Sequence, residues 1–305
     1  MAKRGKLQTT LEYLAARLIL STIGLMPVSV AIRFGESLGG LAYVFAKGLR
    51  RTGERNLLLA FPEKSPEERR QLLRGVFRSL GRQLGVFSKF GTSSEASLID
   101  VCEVEGLEHY LKLKAEKKGV VFFTGHLGAW ELLPLYSSLV GYPLNVVVRR
   151  LDNPKVEELV EQIRVRFGNQ TLDKISGGRS MIKALRSGEA LGLLTDLNTL
   201  DDEAIFVDFF GIPAATNFMV AKLALRTQSP IVPMFAPWDK KRQKFVLQLS
   251  PPLEFNASGN EETDVRDLTS QLTSFTENKI RNYPDQWLWI HKRWKTRPAG
   301  EPSIY

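Results

Sequence analysis

A chain of 305 residues with 43% hydrophobic and 10% aromatic side chains can bury one large core or two modest ones, which excludes a disordered protein. Its 42 basic against 33 acidic residues leave a net charge of +9, pointing to an anionic partner such as a membrane surface, a nucleic acid, or an acidic protein or substrate. The single cysteine, Cys102, excludes an intramolecular disulfide and a paired-cysteine metal site. His109, His126 and His291 are the three histidines, far apart and without HExxH spacing, so no metal and no other cofactor is expected.

The chain opens with Lys3, Arg4 and Lys6, and from Tyr13 to Ile32 it is apolar apart from Arg17 and a few hydroxyls. That run approaches the ~20 residues a spanning helix requires, but Arg17 and Pro27 weaken it. Lys47, Arg50, Arg51 and Arg55 follow, so basic residues flank both ends and the positive-inside rule gives no orientation. Ala15 and Ala16 precede the apolar stretch rather than end it, and no cleavable signal peptide is expected. Leu11 to Phe45 is therefore predicted as one or two helices seated in or on a membrane, a buried core pair being the alternative. Residues 1–50 form this membrane-associated helical segment in our division of the chain, and residues 51–305 form one further domain.

The sequence SPEE at Ser65 to Glu68 carries a cap, a proline at the first helical position and two acids in the first turn. Leu72, Leu73, Val76, Phe77, Leu80, Leu84 and Phe87 then recur at helical spacing, predicting an amphipathic helix from Ser65 to Phe90. A helical run over Leu107 to Lys114 carries His109, and Cys102 is expected as a small buried hydrophobe. From Gly119 onward, strands are predicted at Val120 to Thr124, Leu144 to Arg149, Ala190 to Thr195, Ile231 to Ala236 and Phe245 to Ser250. Helical segments alternate with them near Trp130 to Leu139, Asn153 to Phe167, Arg179 to Arg186 and Thr216 to Arg226, and a last helix covers Glu262 to Asn282. This alternation predicts an α/β fold with a largely parallel central sheet flanked by helices, its edge open to antiparallel pairing by the last strands.

In such sheets ligands sit beyond the carboxyl ends of the strands. His126 follows the first predicted strand there, Arg149 ends the second, and Asp196 and Asn198 follow the third. In GHLGAWE, Gly125 and Gly128 let the chain turn tightly above His126, and Glu131 begins the next helix. A histidine with such a carboxylate can take a proton from a hydroxyl, and a structural histidine capping the strand is the alternative. No GxSxG elbow, GxxxxGK loop or GxGxxG turn occurs, which disfavours an acyl-enzyme, nucleotide hydrolysis and nicotinamide binding.

Arg149, Arg150, Arg164 and Arg166 bracket the helix begun by Asn153 and Pro154, and guanidinium groups near a base suit a phosphate; surface pairing with Glu157, Glu158 and Glu161 is the alternative. Phe209 to Asn217, FFGIPAATN, either lines a slot for an alkyl chain or packs the core. The tail from Trp287 to Arg297 interleaves three tryptophans with basic residues. We read it as a membrane-interface segment rather than one whose tryptophans pack on the domain; nucleic acid is not expected as a partner.

Taken in order, RNLLLAFPE, GHLGAWE, RRLDNP, MIKALRSGE, FFGIPAATN and WLWIHKRWKTRP resemble the bacterial lipid A biosynthesis acyltransferases, the late lauroyl and myristoyl transferases of the wider glycerolipid acyltransferase-like group. The resemblance covers most of the chain. It implies that His126 and Glu131 are the HxxxxD/E general base and its carboxylate partner and that Arg164 is the family's downstream functional arginine; Arg149, Asp196 and Asn198, placed at the strand ends, are the further substrate-binding candidates. TDLN departs from the family's PDxD-like turn, keeping Asp196 while Thr195 and Asn198 differ. The implied reaction moves a fatty acyl chain from an acyl carrier protein thioester, or acyl-CoA, to a hydroxyl of a lipid A precursor at the cytoplasmic face of the inner membrane. Residues 51–305 would then be the acyltransferase domain. The alternatives are an acyltransferase for another glycolipid or phospholipid, and a non-catalytic basic protein that binds membrane or nucleic acid.

Overall fold

Pro27 divides the apolar N-terminal run into two helices, α1 (Lys6–Leu25) and α2 (Val28–Phe45), in a computed structural model that describes residues 5–199 and 204–305. The expected basic flank of Lys3 and Arg4 lies outside the described residues. A third helix, α3 (Lys47–Ala60), follows almost without a break, and α4 (Pro66–Thr92) starts at the expected capping box: the Ser65 hydroxyl accepts from the Glu68 amide while the Glu68 carboxylate accepts from the Ser65 amide. α2 and α4 meet backbone to backbone. A Cβ on Gly35 would lie 2.1 Å from the Gly81 carbonyl oxygen, and one on Gly81 would lie 2.0 Å from that of Gly35. Lys89 of α4 donates to the carbonyls of Gly24 and Met26, fixing the α1–α2 corner to the same helix.

The remaining chain alternates as expected. After a short turn, α5 (Glu95–Leu98), come β1 (Cys102–Glu105), α6 (Leu107–Ala115), β2 (Val120–Thr124), α7 (Leu132–Leu139), β3 (Asn145–Val148), α8 (Pro154–Arg164), β4 (Gln170–Asp173), α9 (Gly178–Arg186) and β5 (Ala190–Leu194). A hairpin of β6 (Ala204–Phe209) and β7 (Ile212–Asn217) precedes α10 (Met219–Thr227), β8 (Ile231–Phe235), β9 (Trp238–Asp239), β10 (Lys244–Leu249) and α11 (Glu261–Asn282). The sheet order is β1-β10-β8-β2-β5-β3-β4, with β9 on β10; every pairing from β8 to β4 is parallel, and β10 runs antiparallel to β8.

Strand side chains alternate between two cores. Val121, Phe123, Leu191, Leu193 and Ile231 pack with α9, α10 and α11, while Val120, Phe122, Val232 and Met234 pack with α6, α7 and the second half of α4. Cys102 is buried in the second core, as expected, and burial pushes its thiol well above the usual range.

One segment takes the second of its two expected readings, and one differs from the sequence reading. FFGIPAATN packs the core, Phe209, Phe210 and Ala214 being buried in the first core, and it does so as the turn and second strand of a hairpin whose loop residues Phe210 and Gly211 have φ of 54° and 72°. The C-terminal tail is not a membrane-interface segment. Trp287, Trp289 and Trp294 are each 0% exposed, packed around Phe61, Phe209 and Phe210. Their area is more than the core can leave unfilled, and α3 holds the tail in place: the buried Asn56 amide donates to the carbonyls of Trp289 (2.6 Å) and His291 (2.7 Å).

Candidate active site

The parallel strands β2 and β5 end side by side, Thr124 against Leu194, so the residues that follow, Gly125-His126 and Thr195-Asp196, emerge together. The Asp196 carboxylate is buried and fully engaged. Oδ1 lies 2.7 Å from His126 Nδ1, and Oδ2 accepts from the His126 amide and from the Trp287 indole N–H, each at 2.7 Å. Burial pushes the Asp196 carboxyl up, but the His126 ring, the Trp287 indole and the His126 amide together outweigh it and hold the group below the usual carboxylate range. A carboxylate can only accept, so Nδ1 carries the ring proton and Nε2 is the basic nitrogen. Gly125 makes the approach feasible, because a Cβ there would stand 2.8 Å from Asp196 Oδ2. The turn is held from the other side by the tail, where the Leu288 amide donates to the His126 carbonyl and the Gly128 amide to that of Gln286.

Glu131 sits elsewhere. Its two oxygens bind Arg164, from Nε at 3.0 Å and Nη2 at 2.6 Å, in a pair that is mostly buried. The expected His126–Glu131 contact is therefore replaced by two pairs, His126–Asp196 and Glu131–Arg164. The reason is geometric: the helix begun at Leu132 carries Glu131 toward the end of α8, while the neighbouring strand delivers Asp196 directly beneath the imidazole. Arg164 Nη1 is buried and makes no hydrogen bond.

His126 and the Glu131–Arg164 pair border one cavity of about 1900 Å³, larger than the roughly 300–1,000 Å³ of a usual small-ligand site. His126, Trp130, Glu131 and Arg164 line it, the rings of His126 and Trp130 being 5.0 Å apart. Its inner arm is apolar, walled by Phe122, Leu133, Leu144, Val146 and Met234. Its rim is basic, carrying Lys47 and Arg51 from α3 and Lys292 and Lys295 from the tail. These four cations form no ion pair with a carboxylate among the described residues, and they converge from segments more than two hundred residues apart in sequence.

The other expected substrate contacts divide. Arg149 lines the cavity and reaches Asp152 at 3.4 Å. Asn198 also lines it, yet its amide is committed to Thr296 and Thr199, pinning the tail to the loop after β5. Asp196 does not face a substrate; it lies behind His126 with its side chain 1% exposed. Sequence reading missed Trp287 as a partner of Asp196, and it missed His291, which lines the cavity and is pushed down to about 4, chiefly by burial. The density of tryptophan in the tail, with one histidine among them, was the available signal. Among the described residues, no group of three His, Cys, Asp or Glu side chains converges as a metal site would require.

Known proteins resemble the chain along nearly its whole length. Residues 2–296 match the profile of a family described as bacterial lipid A biosynthesis acyltransferase. A lipid A biosynthesis lauroyltransferase of Escherichia coli (strain K12) is 31% identical over 291 residues, covering 92% of this chain and 90% of the relative. A lipid A biosynthesis acyltransferase of Haemophilus influenzae is 31% identical over 294 residues, with coverages of 92% and 89%. The lipid A biosynthesis palmitoleoyltransferase of Escherichia coli (strain K12) is 27% identical over 306 residues, with coverages of 96% and 97%.

Proposed function

The chain belongs to the bacterial lipid A biosynthesis acyltransferases and is an acyltransferase; from that premise we propose that it moves a fatty acyl chain from an acyl carrier protein thioester, or acyl-CoA, to a hydroxyl of a lipid A precursor. The observation that carries this reading is His126, held through Nδ1 by the buried Asp196 at the border of a cavity with an apolar arm and a basic rim. His126 Nε2 takes the proton of the acceptor hydroxyl as its oxygen attacks the thioester carbonyl. The tetrahedral oxyanion collapses with expulsion of the thiolate, which recovers the proton from the imidazolium. Asp196 keeps the productive tautomer and stabilises the imidazolium. Arg164, fixed by Glu131 and with Nη1 unpaired, is the donor assigned to substrate oxygen. Lys47, Arg51, Lys292 and Lys295, with Arg149 beside them, suit the anionic groups of such an acceptor and an acidic carrier.

The acceptor is drawn from the cytoplasmic face of the inner membrane, and residues 1–50 seat the acyltransferase domain, residues 51–305, on it. This rests on exposed apolar side chains that water would not favour: Leu7, Leu11, Leu14, Leu18 and Leu25 recur at helical spacing on α1, and Val30, Phe34, Leu41, Val44 and Phe45 stand out from α2. α2 alone, among the described residues, is long and apolar enough to cross a bilayer. Its 18 residues reach about 27 Å against a hydrocarbon core of about 30 Å, and one flank is clasped to α4, which favours lying in the surface over spanning. Mass spectrometry of lipid A from cells with and without the protein tests the reading. An acyl chain missing from lipid A without it is the expected result, and an unaltered glycolipid profile contradicts it.

A further inference from the structure

Gly192 stands in the middle of β5, a strand paired on both sides, where a glycine weakens the strand. Neither of the usual reasons for a glycine applies. Its φ is not positive, and a Cβ built on it would meet only the Asn145 carbonyl oxygen, at 4.0 Å. What its missing side chain preserves is space. On the same face its neighbours are Phe122 of β2 and Val146 of β3, both cavity-lining and both almost fully buried, so Gly192 is a notch between two walls. Gly192 itself is only half-buried although its strand has a neighbour on either side, because the cavity reaches it.

The notch lies one side-chain rung inside Thr124 and Leu194, about 6–7 Å along the strands, at two residues of about 3.3 Å each. Its entrance is at His126 and Trp130, Met234 stands level with Thr124 on the outer rung, and Leu144 lines the wall on the deeper side of Gly192. A chain whose carbonyl carbon is attacked beside His126 enters this arm with its first methylenes and passes over Gly192 with the later ones. Resting on the acyl-transfer reading above, we propose that Gly192 sets the length of the acyl chain accepted from the donor, by leaving open the floor of the slot between Phe122 and Val146.

The test compares the full-length protein with Gly192→Ala and Gly192→Leu on donor thioesters from octanoyl to palmitoyl, with one acceptor. The side chain added in Gly192→Leu fills the notch, so the length optimum moves shorter by about two carbons or more. The kcat/KM for the wild type's preferred chain falls by at least about tenfold, as expected when a methylene loses its pocket. Gly192→Ala shifts the optimum in the same direction by less, and it carries the test if the leucine variant does not fold. Val146→Ala, which widens the opposite wall, moves the optimum longer. Losses equal for all chain lengths, with the optimum unmoved in every variant, overturn the proposal. Calorimetric titration of the same proteins with fatty acids from octanoate to palmitate separates the two readings. A wild type that binds with a length preference that the variants shift, yet acylates nothing, sinks the reaction and keeps the slot; preferences unmoved in both measurements sink the slot.

Discussion

His126 can act as a base at Nε2 only while Nδ1 keeps its proton, and the buried Asp196 carboxylate holds it there with a second oxygen anchored by Trp287. The carboxylate five residues after the histidine serves another purpose. Glu131 and Arg164 behave as one unit in this geometry, so Glu131→Gln and Arg164→Ala should each lower transfer by on the order of a hundredfold, and the double variant should be little worse than the poorer single one. Rate measurements on all four proteins check this, and fully additive losses would show two independent roles. His291 gives a stability signature instead. Burial, with His126, Arg293 and Lys295 acting the same way against Asp196, pushes its imidazole down to about 4. The unfolded chain binds that proton below about 6.5, so stability is lost as pH falls from about 6.5 towards 4. His291→Gln should remove about 1 kcal/mol of the destabilisation between pH 7 and pH 5, a figure reduced for partial exposure; unfolding midpoints at the two pH values measure it.

The N-terminal helices and the catalytic body are joined by an element contact that glycine makes possible. Gly81→Leu would drive a side chain into the Gly35 carbonyl, and a loss of about 3 kcal/mol or more with loosening of α2 is expected. Gly40→Ala, on α2 and with nothing within 4 Å of the added carbon, should be neutral or stabilising by up to about 1 kcal/mol. Thermal unfolding and limited proteolysis distinguish this clasp from a loosely attached anchor, for which both substitutions would be silent. Much of the sheet and its helices was legible because long apolar runs and the Ser65 capping box are local signals: β2 falls on Val120 to Thr124 as read, and α4 starts where its cap and proline say. The β6–β7 hairpin was hidden because its turn is Phe210-Gly211, not one of the Asn-Gly or Asp-Gly signals. β1 (CEVE) and β4 (QTLD) lack the apolar run that marks the equally short β3. Of the site, His126 and Asp196 could be placed at strand ends from sequence, but which carboxylate meets the imidazole depends on β2 pairing with β5, a contact across about seventy residues that no local pattern records.

The molecule as assembled has two contrasting faces on its substrate side. Exposed leucines, valines and phenylalanines on α1 and α2 lead, through Phe45, directly into the basic Lys47 and Arg51 at the cavity rim. A bilayer offers hydrocarbon and anionic headgroups in that same order. The full-length protein should therefore sediment with vesicles containing anionic lipid, and high salt should weaken but not abolish the association, because the apolar helices remain. Replacing Leu11, Leu14 and Leu18 together by glutamine should release it, as read by flotation; a variant that stays bound would move the membrane contact elsewhere. The reaction itself is tested most directly by incubating purified protein with an acyl carrier protein thioester and a lipid A precursor and weighing the acceptor by mass spectrometry. The expected result is a gain of one acyl chain with the wild type, a fall in rate of about 10³–10⁴ for Asp196→Asn, and no gain above background for His126→Ala. An acceptor left unmodified by the wild type, or acylated at the wild-type rate by His126→Ala, would contradict it.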